Sequence, residues 1–185
     1  MLAPQQVRSE LEQLIALVRD RRPRVVLEIG AARGATAFLF SQFAPDDAKI
    51  VTVDVGSAAW RALFYRSFAR EGQVVRLIRG DSHEPRTEAR IRRALAGESV
   101  DFLFIDGDHS YDGVRRDFET YSRLVHDGGL IALHDIVPGP EELVGGVTRF
   151  WKELEARYET SELVEDWNQG GFGIGLVSRA ARTPA

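Results

Sequence analysis

With 185 residues, 44% of them hydrophobic, the chain has apolar surface for one well-packed domain and is expected to form a single one over residues 1–180. Its 24 basic residues are interspersed among 28 acidic ones for a formal net charge of −4, so no extended positive field is available to a nucleic-acid partner. The absence of cysteine excludes a disulfide framework and a thiolate metal site. No run approaches the roughly 20 apolar residues of a membrane span. Met1 to Asp20 mixes Arg8, Glu10, Glu12 and Arg19 with apolar positions, unlike a signal peptide. A soluble, cytoplasmic protein is the expectation.

In chain order, a helix is expected from Pro4 to Asp20, within an N-terminal segment ending near residue 22, then a strand over Val25–Ile29, a helix over Ala35–Phe43 and a strand over Lys49–Val53. A helix over Ala58–Arg70, a strand over Gln73–Ile78, a helix over Pro85–Ala96 and a strand over Val100–Ile105 follow. Asp112–Leu124 suits a helix, and Gly128-Gly129 opens a fifth strand, Leu130–Leu133. A helix around Val147–Arg157 leads to two strands, Tyr158–Val164 and Gly173–Val177, whose connection carries the turn residues Asn168, Gly170 and Gly171 and so predicts an antiparallel strand at the end of the sheet. The tail after Arg179, and residues 181–185 in particular, is expected to be disordered. The alternation predicts an α/β fold, a Rossmann-like doubly wound sheet of seven strands, mostly parallel with an antiparallel last strand.

In such a sheet a ligand sits outside the carboxyl ends of the strands, so the residues just after each strand carry the chemistry. After the first strand, Gly30 permits a tight turn and close ligand approach and Gly34 opens the next helix. Ala32 stands where a dinucleotide fingerprint has its middle glycine, and the carboxylate of Glu28 suits a positively charged ligand better than a pyrophosphate. Asp54, ending the second strand, is expected to accept from ribose hydroxyls, or else to cap the next helix. Asp81 and Ser82, after the third, are set to receive an adenine amine, or else to organise a turn. Acids on three strand ends without a phosphate site describe a nucleoside ligand such as S-adenosylmethionine rather than NAD.

Asp106 and Asp135 end the fourth and fifth strands. On neighbouring strands, their paired oxygens would suit Mg²⁺ or another divalent cation. Methylation of an oxygen requires loss of its proton, and a cation or a histidine such as His109, whose ordinary pKa is about 6.5, serves that step; the alternative for His109 is a residue that only hydrogen-bonds the loop before the helix at Asp112. Asp108 either orients His109 or meets ligand. His83 and His126 read as surface or turn histidines. Tyr111 either lines an acceptor pocket or packs on the sheet. Trp60, Phe64, Tyr65 and Phe68 recur at helical spacing as a core or interface face, and Arg115 and Arg116 read as a solvated face. The Pro/Gly/Glu-rich segment 136–146 is a candidate mobile flap, and Trp167 to Gly171 could meet it from another side.

Glu28-Ile29-Gly30 through Gly34, Asp54, Gly80-Asp81-Ser82, Phe104 through Tyr111 and Leu133-His134-Asp135 occur in the order of class I S-adenosylmethionine-dependent methyltransferases. The segment Ile105 to Tyr111, with Gly128-Gly129-Leu130 and His134-Asp135, resembles the bacterial family of cephalosporin-hydroxylase-like proteins and metal-dependent sugar and macrolide O-methyltransferases. The resemblance spans Pro23 to about Ile136. It implies Glu28, Gly30, Ala31, Gly34, Asp54, Asp81, Ser82 and Asp106 at the cofactor, Asp106, His134 and Asp135 at a metal, His109 as general base, and a small hydroxylated acceptor. The position of His134 is commonly acidic in similar enzymes, and an imidazole there favours an ion softer than Mg²⁺. A non-catalytic cofactor-binding protein and an NAD-linked oxidoreductase are the alternatives, and a homo-oligomer is compatible with either.

Overall fold

Strands and helices alternate along the chain as runs of β-branched and apolar residues give way to amphipathic stretches. The computed structural model describes residues 6–56 and 60–181. Its elements are α1 (Arg8–Arg21), β1 (Val25–Ile29), α2 (Ala35–Phe43), β2 (Lys49–Asp54), α3 (Arg61–Arg66), β3 (Val74–Arg79), α4 (Pro85–Leu95) and β4 (Val100–Ile105). These are followed by α5 (Tyr111–Tyr121), β5 (Val125–His134), α6 (Glu141–Val144), α7 (Val147–Glu155), β6 (Tyr158–Leu163) and β7 (Ile174–Ala181).

The seven strands form one sheet in the order β3-β2-β1-β4-β5-β7-β6. β1 to β5 run parallel, and β7 is antiparallel to both of its neighbours. The last strand is therefore antiparallel as expected, but it lies inside the sheet, and β6 forms the edge. Strand order reverses between β1 and β4, so their carboxyl ends open the crevice where an α/β sheet binds ligand.

The period-2 alternation of β1 divides the core. Val25, Leu27 and Ile29 pack with β4, α4, α5 and α7 residues such as Leu103, Ile91, Phe118 and Trp151 on one face. Val26, with Phe102 and Phe104 of β4, packs on the other face against Leu14, Phe40 and Tyr65 from α1, α2 and α3. Glu28 shares the parity of Val26, which places its carboxylate beneath α2.

Several element ends differ from expectation. The first helix begins at Arg8, with Val7 extended; Pro4, where the sequence places its start, lies outside the described residues, as does Ala58 at the expected start of the third helix. α3 stops at Arg66 because the chain tightens into i to i+3 bonds from Ser67 to Phe64, Phe68 to Tyr65 and Ala69 to Arg66. α5 ends at Tyr121, followed by a 3-10 turn over Ser122–Leu124. Regular β4–β5 pairing starts at Leu130, after an irregularity that contains Gly128 at φ +88°. β7 reaches Ala181, past the expected start of a disordered tail, and residues 182–185 lie outside the described range. Among the described residues no helix is long and apolar enough to cross a membrane.

Candidate functional site

The tips of β1, β2 and β4 are locked together by backbone bonds from Gly30 N to Val53 O (2.9 Å) and from Asp106 N to Ile29 O (2.8 Å). Gly30 has φ +91°, and a Cβ there would meet the Asp106 carbonyl oxygen at 1.8 Å. Only glycine lets the β1 turn lie this close to β4. The crevice outside these tips is a cavity of about 470 Å³ that includes Gly30, Asp54, Asp81, Ser82 and Asp106 in its wall. Asp54 Oδ1 accepts from Gly56 N and Asp81 Oδ1 from His83 N, each at 2.8 Å. Both acids thus organise their turns while still lining the cavity.

Glu28, Ala31 and Gly34 do not line it. Glu28 is fully buried, accepting from the hydroxyls of Thr36 and Thr52. Burial pushes its carboxyl up to about 7, against the pull of those hydroxyls. Ala31 is buried and offers its carbonyl to the Tyr65 hydroxyl at 3.4 Å. Gly34, at φ +89°, makes room for Tyr65, whose hydroxyl would lie 2.6 Å from an added Cβ. These three residues shape the loop from behind.

The parallel register pairs Ile105 with Leu133, and Asp106 and His134 follow directly. Asp106 Oδ1 lies 3.2 Å from His134 Nδ1 and 3.3 Å from His109 Nε2; Asp135 Oδ2 lies 3.3 Å from His134 Nδ1 and 3.2 Å from His109 Nδ1. Two carboxylates and two imidazoles therefore interleave. Burial would raise the Asp106 carboxyl, but His134 and His109 hold it down to about 2. The bond to Asp106 raises His109 to about 9, against burial, and its Nδ1 donates to Leu143 O at 2.6 Å. Burial disfavours charge on His134, yet Asp106 and Asp135 outweigh it and raise the ring to about 10.

Asp135 adopts φ +65°, and its Oδ1 accepts from Phe172 N at 3.0 Å. His134 is buried, and neither ring nitrogen has a well-directed hydrogen bond despite the short distances to carboxylate. Ligand-type atoms of Asp106, His134 and Asp135 lie within 4.8 Å of one another. Two hard oxygens and a borderline nitrogen, misdirected for hydrogen bonding among themselves, fit a divalent cation.

A second cavity, of about 530 Å³, is walled by Asp106, His109, His134, Asp135, Glu142, Leu143 and Phe172 with Gly170 and Gly171. Segment 136–146 supplies part of this wall through α6. It is tied by Val137 N to Phe172 O (2.9 Å) and Gly146 N to His109 O (2.8 Å). The connection between β6 and β7 is held by the buried Glu10 of α1, which accepts from Glu165 N, Gln169 Nε2 and Gly173 N at 2.8 to 3.1 Å.

The other residues that the sequence singles out are divided between the crevice, the core and the surface. His83 sits in the turn formed by Asp81, one of its two expected places, and it also lines the first cavity. Gln6 donates to Asp106 Oδ2 at 3.0 Å, a contact no local pattern announces. Arg115 and Arg116 are both exposed on α5, as expected of a solvated face; Arg115 pairs with Glu119, and Arg116 also donates to His83 O at 2.7 Å. Tyr111 packs on Phe150 and donates to Glu153, away from both cavities. Asp108 lines the crevice and accepts from Ser110 N at 2.9 Å. Tyr65 and Phe68 are core residues, while Trp60 and Phe64 of the same face are exposed. His126 is exposed, beside Asp101, as expected of a turn residue.

Comparison with known proteins matches this architecture. Uncharacterized protein y4gI of Sinorhizobium fredii is 27% identical over 147 residues, 76% of this chain but only 16% of that protein, so the chain spans about a sixth of this curated relative. An O-methyltransferase from Bacillus cereus, solved in complex with SAH, shares the fold with a TM-score of 0.68 and 23% identity, over 96% of this chain and 84% of that one. The O-methyltransferase TomG from Streptomyces achromogenes, involved in tomaymycin synthesis and solved in complex with SAM, has a TM-score of 0.60 and 22% identity, over 95% and 80%. The model of a family described as a methyltransferase domain matches residues 27–136, more than half the chain, from within β1 to just past Asp135. The chain belongs to this methyltransferase-domain family.

Proposed function

We propose that the protein transfers a methyl group from S-adenosylmethionine to a hydroxyl of a small molecule, such as a sugar, a macrolide or another natural product, with a divalent cation at Asp106, His134 and Asp135. The observation that carries this reading is that the crevice at the β1/β4 tips and the second cavity share two residues, Asp106 and His109. A donor in the first and an acceptor in the second would meet there, as group transfer requires. The SAH and SAM held by similar folds, and the absence of a middle glycine at Ala32, support this donor.

In this reading Gly30 admits the nucleoside to close range, Asp54 accepts from the ribose hydroxyls, and Asp81 with Ser82 receives the adenine. Glu28 supports the loop from beneath together with Ala31 and Gly34. S-adenosylmethionine supplies a methyl group on a cationic sulfur, and Asp106 gives the end of the crevice a compensating negative charge. A divalent cation, when bound, lowers the pKa of a hydroxyl and fixes its oxygen. The nitrogen of His134 favours an ion softer than Mg²⁺, although the two carboxylates accommodate either.

His109 is the proposed general base. Asp106 faces its Nε2 and Leu143 O accepts from its Nδ1, so both ring protons are held, and a base raised to about 9 is a poor acceptor at neutral pH. A cation held by Asp106 and Asp135 would relieve His109 of much of the negative charge that keeps it protonated, and the neutral ring would then be the residue placed to take the acceptor's proton. Phe172 and Leu143 give the second cavity an apolar wall against which a ring can rest.

Titration calorimetry with S-adenosylhomocysteine, followed by methyl transfer from labelled S-adenosylmethionine to a panel of hydroxylated acceptors with Mg²⁺ or Mn²⁺, tests the proposal. Binding and metal-stimulated transfer are expected; absence of S-adenosylhomocysteine binding would sink it.

A further inference from the structure

Asp117 of α5 is fully buried beneath the crevice, and neither carboxylate oxygen has a well-directed hydrogen bond. Its Oδ1 lies 3.2 Å from Nε2 of His83, a residue of the cavity wall. The same nitrogen lies 3.2 Å from the carbonyl oxygen of Gly113. A carbonyl only accepts, so Nε2 carries a proton, and the Asp117 charge beside it favours that arrangement.

The rest of His83 is equally constrained. Its backbone N donates to Asp81 Oδ1 at 2.8 Å, and its carbonyl accepts from Arg116 at 2.7 Å. In the neutral ring, Nδ1 is then an unprotonated acceptor, 3.6 Å from Asp81 Oδ1. Burial pushes the Asp117 carboxyl up to about 6, with Ser82 and His83 pulling it back, so it is ionised at pH 8. Asp81 uses Oδ1 for its turn and keeps Oδ2 for a ligand. Asp81 and His83 both line the crevice, so Asp81 Oδ2 and His83 Nδ1 are the acceptors they have left for a ligand, and an N–H₂ group is the chemistry that satisfies both.

We infer that His83, fixed in its Nε2–H tautomer by Gly113 and Asp117, is a specificity-determining residue that accepts from the exocyclic amine of the cofactor's adenine beside Asp81. Asp117 is its positioning residue. This rests on the reading that the crevice takes S-adenosylmethionine. A base with a carbonyl in place of the amine would set lone pairs against both acceptors, a mismatch that a site built for a donor rejects strongly.

The test compares S-adenosylhomocysteine with S-inosylhomocysteine, whose base carries that carbonyl, by calorimetry at pH 8. The wild-type protein is expected to prefer the adenosyl compound by roughly 100-fold or more. His83→Ala is expected to cut this ratio about tenfold, the worth of one hydrogen bond and its mismatch. Asp117→Asn is expected to cut it severalfold and to mix the His83 tautomers seen by ¹⁵N NMR. The wild-type spectrum, independent of any variant's folding, should show His83 protonated at Nε2 and bare at Nδ1. A proton on Nδ1, or an unchanged ratio in His83→Ala, overturns the inference alone. Failure of the wild-type protein to bind S-adenosylhomocysteine overturns the methyl-transfer reading and this inference with it.

Discussion

Phe172 N donates to Asp135 Oδ1 at 3.0 Å, and both residues hold left-handed backbone, at φ +63° and +65°. For side chains of this kind such a conformation costs about 1 kcal/mol each. The bond aims Asp135 so that Oδ2 faces His134 and His109. Asp135→Asn keeps an oxygen for Phe172 but removes the charge. It is expected to weaken Mn²⁺ binding at least tenfold, read by electron paramagnetic resonance, with the melting temperature changed by only a few degrees.

The imidazole of His134 should set metal preference. His134→Asp replaces a borderline nitrogen with a hard oxygen, and competition titrations are expected to move affinity toward Mg²⁺ relative to Zn²⁺. An unchanged ratio would remove His134 from the metal seat.

Gly30→Ala places a methyl group 1.8 Å from the Asp106 carbonyl oxygen at a φ of +91°. Relief requires the β1 and β4 tips to part. A loss of about 2 kcal/mol or more in denaturant unfolding is expected, with S-adenosylhomocysteine binding lost in the protein that remains folded.

Glu28 predicts a pH dependence of stability. Its carboxyl is raised from 4.5 to about 7 by burial, so the folded chain binds this proton more tightly than the unfolded chain. The stabilising contribution is full below pH 4.5, falls as pH rises toward 7 and is gone above it. Glu28→Gln retains groups for Thr36 and Thr52 without the buried charge. It should be more stable than the parent by up to about 3 kcal/mol at pH 8, and little different at pH 4. Equal melting curves at pH 8 would contradict the assignment.

His109→Ala should lower kcat by roughly 10²- to 10⁴-fold while leaving S-adenosylhomocysteine affinity within a fewfold of the parent. A variant of undiminished kcat would leave methyl transfer standing and remove His109 as base.

The strand tips at the crevice were legible in the sequence because the apolar runs of β1 to β5 are each followed, directly or after one residue, by Gly or Asp. The bounds of β1, α2 and β4 match expectation residue for residue. The facing of Asp106 and His134 follows from two such strands lying side by side. Glu28 was legible in kind but not in direction: it alternates with Leu27 and Ile29, and that parity turns it toward Thr36 and Thr52, behind the crevice wall. The insertion of β7 between β5 and β6 was not legible, since a hairpin-like connection fixes which two strands pair but not which of them meets the sheet. Long-range contacts escaped for the same reason. Glu10 reaches the β6–β7 connection, and Gln6 reaches Asp106, across more than half the chain.

The most direct measurement is a crystal structure with S-adenosylhomocysteine and a divalent cation. The account predicts the nucleoside between Asp54 and Asp81 and one ion touching Asp106, His134 and Asp135. A nucleoside outside the β1/β4 crevice, or an ion that ignores these three side chains, would contradict it.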